Sequence, residues 1–153
     1  MEEDSVDSKV GGDRQWEWIP NERYGPFIFG MPRAQVPYLD DEDEEDRTDM
    51  GSGDVATSYS TTIEGVKDVG FWNDILTGVT EEGDFWFRGR QLIGEFYRDV
   101  EGIFVGITPE IDDLVMHVCV DFDDLSLMLW VHEDGRIDSV SVGVDPDDVL
   151  PRG

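Results

Sequence analysis

Cysteine is almost absent from this chain. Its 153 residues include only Cys119, so no intramolecular disulfide can form and no cysteine-rich zinc site can be built. A chain that folds without disulfides is typical of a reducing compartment. The N-terminus is acidic where a signal peptide would be basic and then apolar, and no run of about 18 apolar residues occurs. We therefore expect a cytoplasmic protein.

Basic residues are also scarce. The chain has 11 Lys and Arg against 37 Asp and Glu, which gives a formal net charge of −26. Such a field repels phosphate backbones and anionic lipid, so we expect no direct binding to nucleic acid and no membrane association. The same field attracts basic proteins. A basic protein partner is therefore expected, and the oligomeric state is left open.

The composition fits one domain. Hydrophobic residues make up 39% of the chain, which is enough to bury a single core. The chain is too short to form two domains comfortably. Residues 1–14 are polar, charged and glycine-containing, and they predict a flexible N-terminal tail. Residues 15–150 are predicted to form one α+β domain with an acidic loop at 40–53.

Two groups of acidic residues are the candidate partner-binding residues. The first group is the run of seven acids from Asp40 to Asp46. Seven adjacent like charges cannot pack together, so this run predicts a solvated loop. Such a loop fits a purely solubilising role as well as it fits partner binding. Neither group fits a calcium-binding EF-hand loop, because both lack glycine at its sixth position, and no metal or cofactor is expected. The candidates are Asp40, Asp41, Glu42, Asp43, Glu44, Glu45, Asp46, Asp121, Asp123 and Asp124.

The C-terminal part predicts a three-stranded antiparallel meander over residues 115–144, packed against one or two short helices. Asp134-Gly135 is typical of a two-residue hairpin turn, because both central residues of a type I′ turn need positive φ. The turn places Leu127 opposite Val142 and Leu129 opposite Val140. All four side chains then share one buried face.

A second hairpin, turning at Asp123-Asp124, is predicted to place Val120 beside Leu127. The opposite face of the meander is mixed and partly apolar. It is either covered by an internal helix or exposed as a binding surface. That face carries His117, Cys119, Asp121, Ser126, Met128, Trp130, Ser139, Ser141 and Gly143.

Three segments predict short helices. The pairs Phe71-Trp72 and Ile75-Leu76 have the spacing of one helical face, and residues 92–97 repeat that spacing. Thr108 followed by Pro109 is typical of a helix start, with the helix running from residue 110 to 115.

Catalytic patterns are absent from the sequence. There is no Gly-x-Ser-x-Gly motif and no glycine-rich phosphate loop, so no catalytic residue is predicted. His117, Cys119 and His132 lie near one another in the predicted meander, but zinc is disfavoured because such sites usually take close paired ligands. A carboxylate pair in a pocket between the Trp16 region and the meander is the remaining enzyme hypothesis.

Two segments resemble parts of a known class of small bacterial proteins. The first reads W-E-W-I-P from Trp16 to Pro20 and G-P-F-I-F-G-M-P-R-A-Q-V from Gly25 to Val36. The second reads L-S-L-M-L-W-V-H-E-D-G-R-I from Leu125 to Ile137. They resemble immunity proteins of bacterial polymorphic toxin systems. The resemblance implies a cytoplasmic, non-enzymatic protein that neutralises a toxin domain by binding it.

Two prolines depart from the immunity-protein pattern, and a short internal repeat is also present. Pro32 stands where the immunity-protein pattern prefers Ser or Thr, and Pro37 follows closely, so the first helix is expected to be short. Gly30-Met31-Pro32-Arg33 and Gly106-Ile107-Thr108-Pro109 both follow apolar runs. Their similarity permits two related half-units.

Two hypotheses follow for function. The first is an immunity-type protein that occludes a basic nuclease or another nucleic-acid-modifying toxin domain. The alternative is an acidic, salt-adapted structural or interaction module without a toxin partner.

Overall fold

Antiparallel β-strands make up most of the structure. The computed structural model describes residues 16–49, 51–104, 106–113 and 117–145, and for residues 41–46 the backbone alone. The predicted tail at 1–14 lies outside the described residues. In chain order the strands are β1 (Trp18–Ile19), β2 (Arg23–Tyr24), β3 (Phe27–Ile28), β4 (Leu39–Asp49), β5 (Val55–Thr61), β6 (Val66–Trp72), β7 (Ile75–Glu81), β8 (Trp86–Phe87), β9 (Arg90–Gln91), β10 (Glu110–Asp113), β11 (His117–Phe122), β12 (Leu127–His132) and β13 (Ile137–Gly143).

Eight of these strands form one sheet in the order β10-β11-β12-β13-β7-β6-β5-β4, with every neighbouring pair antiparallel. The described residues add one α-helix, α1 (Tyr97–Val100), and 3₁₀ turns at Arg33–Gln35, Glu101–Phe104 and Asp123–Leu125. The predicted α+β class is therefore wrong. The fold is closer to all-β.

The predicted helix around Phe71 is in fact the β6–β7 hairpin. Asn73 and Asp74 have φ values of 52° and 64°, the left-handed conformation that both central residues of a type I′ turn require. The apolar pairs on either side of the two-residue turn have the same sequence spacing as one face of a helix, which explains the wrong prediction. The predicted helix from residue 110 is also wrong, because β10 pairs with β11 there.

The predicted register of the last hairpin is confirmed for its core pairs, whereas the predicted type I′ turn is wrong. Asp134 does not have positive φ, Gly135 N–H donates to the His132 carbonyl oxygen, and a β-bulge between Trp130 and Val131 restores the register. Leu127 lies opposite Val142 and Leu129 opposite Val140. All four side chains are buried, with relative exposures of 3% or less. The predicted meander therefore exists, as part of the larger sheet rather than as a unit packed on helices.

The preceding hairpin differs from its prediction by two residues. Val120 lies opposite Leu129, not Leu127, because the connection is longer than the predicted two-residue turn. A 3₁₀ turn at Asp123–Leu125 and a left-handed Ser126, with φ of 53°, lengthen it. Since the shift is an even number of residues, every side chain keeps its predicted face.

The acidic run lies on an edge strand. Residues 40–49 of the predicted acidic loop 40–53 belong to β4, which pairs with β5 alone. An edge strand has one free side, so a charged sequence can stay hydrated while half of its backbone is paired. The register of β4 shifts between Leu39 and Glu44 and again between Glu44 and Asp46. The prediction of an unpaired loop is therefore wrong for these residues.

The sheet consists of two four-stranded meanders, β4–β7 and β10–β13, joined through their last strands. Each meander follows a small sheet and a short helical segment in the chain, as two related half-units would require. At the junction, Gly78 of β7 lies directly opposite Gly143 of β13. A Cβ atom at Gly143 would overlap the Thr77 carbonyl oxygen and stand 3.1 Å from Gly78 Cα. Glycine at 143 thus permits the close approach of the two strands.

The N-terminal strands close one side of the core. Tyr24 is 1% exposed, and its hydroxyl donates a hydrogen bond of 2.5 Å to Glu81 Oε1 at the end of β7. The backbone N–H of Gly83 donates to Glu81 Oε2 at 2.8 Å. A buried carboxylate needs such donors to repay its lost hydration. Glu81 therefore anchors the N-terminal strands to the large sheet.

The junction predicts the effect of two glycine substitutions. Gly143→Ala should lower the free energy of unfolding by about 1–3 kcal/mol, because the new Cβ must push two backbones apart. Gly70→Ala is the matched control on β6, since the atom nearest to its new Cβ would be the Gly78 carbonyl oxygen at 4.0 Å. Urea unfolding of both variants measures the difference. Equal losses in the two variants would contradict the close-approach role of Gly143.

Candidate functional site

One face of the eight-stranded sheet is open, and it is the candidate functional site. Along β12, Leu127 and Leu129 are buried, whereas Met128 and Trp130 on the other face are partly exposed. None of the three predicted helices covers this open face. The prediction of a helix over residues 92–97 is wrong for residues 92–96, because the helix begins only at Tyr97. The Phe71 segment is a hairpin, and the α1 region lies against the other side of β11 and β12.

Two cavities adjoin on the open face. The acidic groove has a volume of about 640 Å³ and lies at the β11–β12 turn. The tryptophan groove has a volume of about 700 Å³ and lies beside Trp130. Ser141 lines both, so the grooves are neighbours along β13. The acidic groove includes Asn21, Asp121, Asp123, Asp124, Ser126, Met128 and Asp145 in its lining.

The fold brings the second group of predicted acidic residues together in the acidic groove. Asp121 lies on β11, and Asp123 and Asp124 lie in the 3₁₀ turn that follows. The strand β10 adds two further carboxylates beside them, because Glu110 pairs with Asp121 and Asp112 pairs with Cys119. We call these five carboxylates, Glu110, Asp112, Asp121, Asp123 and Asp124, the carboxylate cluster.

The carboxylate cluster is electrostatically unfavourable within the protein. Burial raises the pKa of Asp121, and the charge and hydrogen bond of Asp123 and the charges of Glu110 and Asp112 raise it further. Within the described part of the chain, no Lys, Arg or His lies within 4.0 Å of any carboxylate of the cluster. A cationic group from outside would therefore relieve this repulsion.

The predicted enzyme hypothesis finds only a partial counterpart. Asp121 and Asp123 form a pair of neighbouring carboxyl groups, and Asn21 from the N-terminal region lines the same groove. The hypothesis placed such a pair in an apolar cleft. The acidic groove is instead open and lined by both polar and apolar groups, and burial comes before the neighbouring carboxylates as the cause of the raised pKa of Asp121.

A polar network crosses four strands in the tryptophan groove. Thr80 Oγ1 lies 3.0 Å from Ser141 Oγ, which also accepts a hydrogen bond of 3.3 Å from Trp130 Nε1. Asp68 adjoins Thr80, and burial raises its pKa against the opposing hydrogen bond from Thr80 and the charge of Lys67. The network holds the Trp130 ring on the open face.

The histidines do not form a metal site with Cys119. His117 and His132 have ring centroids 5.6 Å apart, and His117 Nε2 lies 2.7 Å from Asp138 Oδ2. Burial, then the charges of Asp121 and Asp112, raises the pKa of the Cys119 thiol, which disfavours the thiolate that a metal would need. Across the described ranges, no group of three His, Cys, Asp or Glu side chains is placed to hold a metal ion.

The two predicted acidic groups lie apart. The run Asp40–Asp46 is on β4, at one edge of the sheet, whereas the carboxylate cluster is near β10, at the other edge. Glu110 and Asp112 are not among the predicted site residues, because their segment was predicted to be a helix. The alternation of charged and apolar residues in Glu110-Ile111-Asp112 is the strand signal that was overlooked.

No protein-family model, curated protein or solved structure matches this chain. In the described chain, no helix reaches the length and hydrophobicity needed to cross a membrane.

The raised pKa of Asp121 predicts a pH-dependent effect of its removal. A carboxyl whose pKa is raised on folding favours the fold when protonated and loses that contribution as pH rises through its folded pKa. Asp121→Asn should therefore stabilise the protein at pH 7 by about 0.5 kcal/mol, and the gain should vanish near about pH 3. Thermal unfolding across this range measures it, with Asp113→Asn as control, because Asp113 is exposed and lies outside the carboxylate cluster. A gain that is independent of pH would contradict repulsion as its cause.

Proposed function

We propose that this chain is an immunity-type protein that binds a basic protein partner and neutralises it. The observation that carries the proposal is the carboxylate cluster, which has no cationic partner among the described residues and raises the pKa of one of its own members. Residues that burden the fold in this way are typical of binding sites, where stability is exchanged for function.

The charge of the chain supports this choice of partner. Proteins that act on nucleic acid need a positive surface to hold the phosphate backbone. An acidic protein competes for that surface, and long-range attraction raises its association rate. A net charge of −26 therefore favours a nuclease or another nucleic-acid-modifying domain as the target.

The resemblance to immunity proteins supplies the remaining parts of the proposal. It implies that the target is a toxin domain and that the complex forms in the cytoplasm, where a single unpaired cysteine stays reduced. The proposal assigns no catalytic step to this chain. Inhibition arises because the acidic surface occupies the cleft that the nucleic acid would use.

Capture from a lysate of the source organism tests the proposal. The whole protein serves as bait at about 50 mM and about 200 mM salt, a range over which non-specific charge attraction weakens strongly. Retention of one basic toxin domain at the higher salt is expected. A mixture of basic proteins that is lost at the higher salt would contradict specific binding.

The two acidic groups predict separable effects on association. A triple variant should slow association with the captured domain by about tenfold at low salt, and the difference should shrink as salt screens the charges. This variant combines Asp121→Asn, Asp123→Asn and Asp124→Asn. Stopped-flow mixing measures these rates.

The matched variant changes four acids of the other edge, namely Asp41→Asn, Asp43→Asn, Glu44→Gln and Asp46→Asn. Slower association of this variant would place β4 at the interface as well. An unchanged rate at low salt would remove β4 from it. Unchanged rates in both variants would contradict the role of the acidic residues in binding.

Salt dependence of folding separates this proposal from salt adaptation. If the charge serves binding, the protein should remain folded in buffer with about 10 mM salt, where the Debye length is about 30 Å and self-repulsion is least screened. Far-UV circular dichroism across a salt series measures this. Loss of the β-sheet signal below molar salt would favour the salt-adapted module instead.

A further inference from the structure

The edge strand β10 offers backbone groups to a partner. It pairs with β11 alone, and all four of its residues are exposed. In an edge strand, half of the backbone N–H and C=O groups face away from the sheet, where another strand can pair with them. Within the described ranges, no other segment occupies that side of β10.

An apolar groove lies on the core side of this edge. It has a volume of about 270 Å³, and Ile111 of β10 contributes to it while being 58% exposed. This is the highest exposure among the large hydrophobic side chains of the described residues. The principal apolar lining comes from Phe96, Tyr97, Ile111, Val118, Val120 and Val131.

The two sides of β10 differ in chemistry. Successive side chains of a strand point to opposite faces, so Ile111 lies on the side of the apolar groove while Glu110 and Asp112 lie on the side of Asp121. A strand added to β10 would present its own side chains alternately to these two surfaces. Apolar residues fit the groove, and Lys or Arg fits the carboxylate cluster.

The other edge of the sheet is less suited to strand addition. The register of β4 is interrupted twice by irregularities, and such bulges are a common means of blocking an edge. The pairing of β10 with β11 has no such interruption over Glu110–Asp113. Of the two edges, β10 is therefore the regular one.

We propose that β10 binds an extended segment of the partner protein as a ninth strand, and that this segment alternates basic and apolar residues. The proposal rests on the proposed preference for a basic partner and adds where and in what form that partner binds. Backbone pairing provides affinity, and the alternating side chains provide specificity, as in other cases of strand addition.

Backbone amide exchange with synthetic peptides tests the proposal. The probe is a nine-residue peptide of alternating lysine and valine, mixed with the whole protein. One control peptide has the same composition with the lysines and valines in two blocks. A second control alternates glutamate and valine. The alternating basic peptide should slow amide exchange within residues 110–113 by about tenfold, and neither control should do so.

A pair of variants tests the apolar half of the recognition. Ile111→Thr keeps a β-branched residue in the strand and should weaken binding of the alternating basic peptide by about tenfold, since the buried apolar contact is lost. Ile28→Thr is the matched control, because Ile28 is 52% exposed on β3 outside the groove. Equal affinities in the two variants would overturn the role of the apolar groove.

Other outcomes would overturn strand addition. Equal protection by the block peptide would show charge attraction alone, and protection along β4 would place the site at the wrong edge. Slow amide exchange of residues 110–113 without peptide would mean that this edge is already covered by the chain itself. If that protection increased with protein concentration, a second copy of the chain would be covering the edge. Failure of the peptide while a toxin domain is still captured would overturn the docking mode and leave the proposed function standing. Binding of the peptide at β10 without capture of a toxin domain would leave the docking mode standing and overturn the proposed function.

Discussion

The pairing of β7 with β13 is the constraint on which the rest of the structure depends. Gly78 and Gly143 meet at this pairing, where the chain permits a close approach of backbones that a side chain at 143 would prevent. The pairing turns two four-stranded meanders into one sheet. It gives that sheet a continuous core face and a continuous open face, and it puts β4 and β10 at opposite edges.

The distribution of charge follows from this arrangement. Edge strands are the places in a sheet where acidic residues keep their hydration while the backbone is paired, and both edges of this sheet are acidic. The apolar residues of the central strands are free to form the core. The acidic groove is the exception, because there the fold brings carboxylates together at a cost to stability. That cost is the physical reason for assigning the groove a role in binding.

Local patterns in the sequence predicted part of this fold. Asp134-Gly135 correctly located the last hairpin, but its turn is not the predicted type I′, because only Gly135 has positive φ. A β-bulge between Trp130 and Val131 offsets the longer turn, so the core pairs Leu127–Val142 and Leu129–Val140 keep the predicted register. Asn73-Asp74 does form a type I′ turn, with positive φ at both residues, but the helical spacing of the apolar residues around it concealed the hairpin. The pairing of β7 with β13 joins segments about 60 residues apart, and no local pattern encodes it. Likewise, Asp121, Asp123 and Asp124 were found as a cluster, while Glu110 and Asp112 joined them only through strand pairing.

The measurement that tests the central claim most directly is a titration of the captured toxin domain's activity on nucleic acid with this protein. If the acidic surface occupies the nucleic-acid cleft, activity should fall to zero at a fixed stoichiometry, and excess nucleic acid should relieve the inhibition by competition. A stable complex that retains full activity would contradict neutralisation by occlusion.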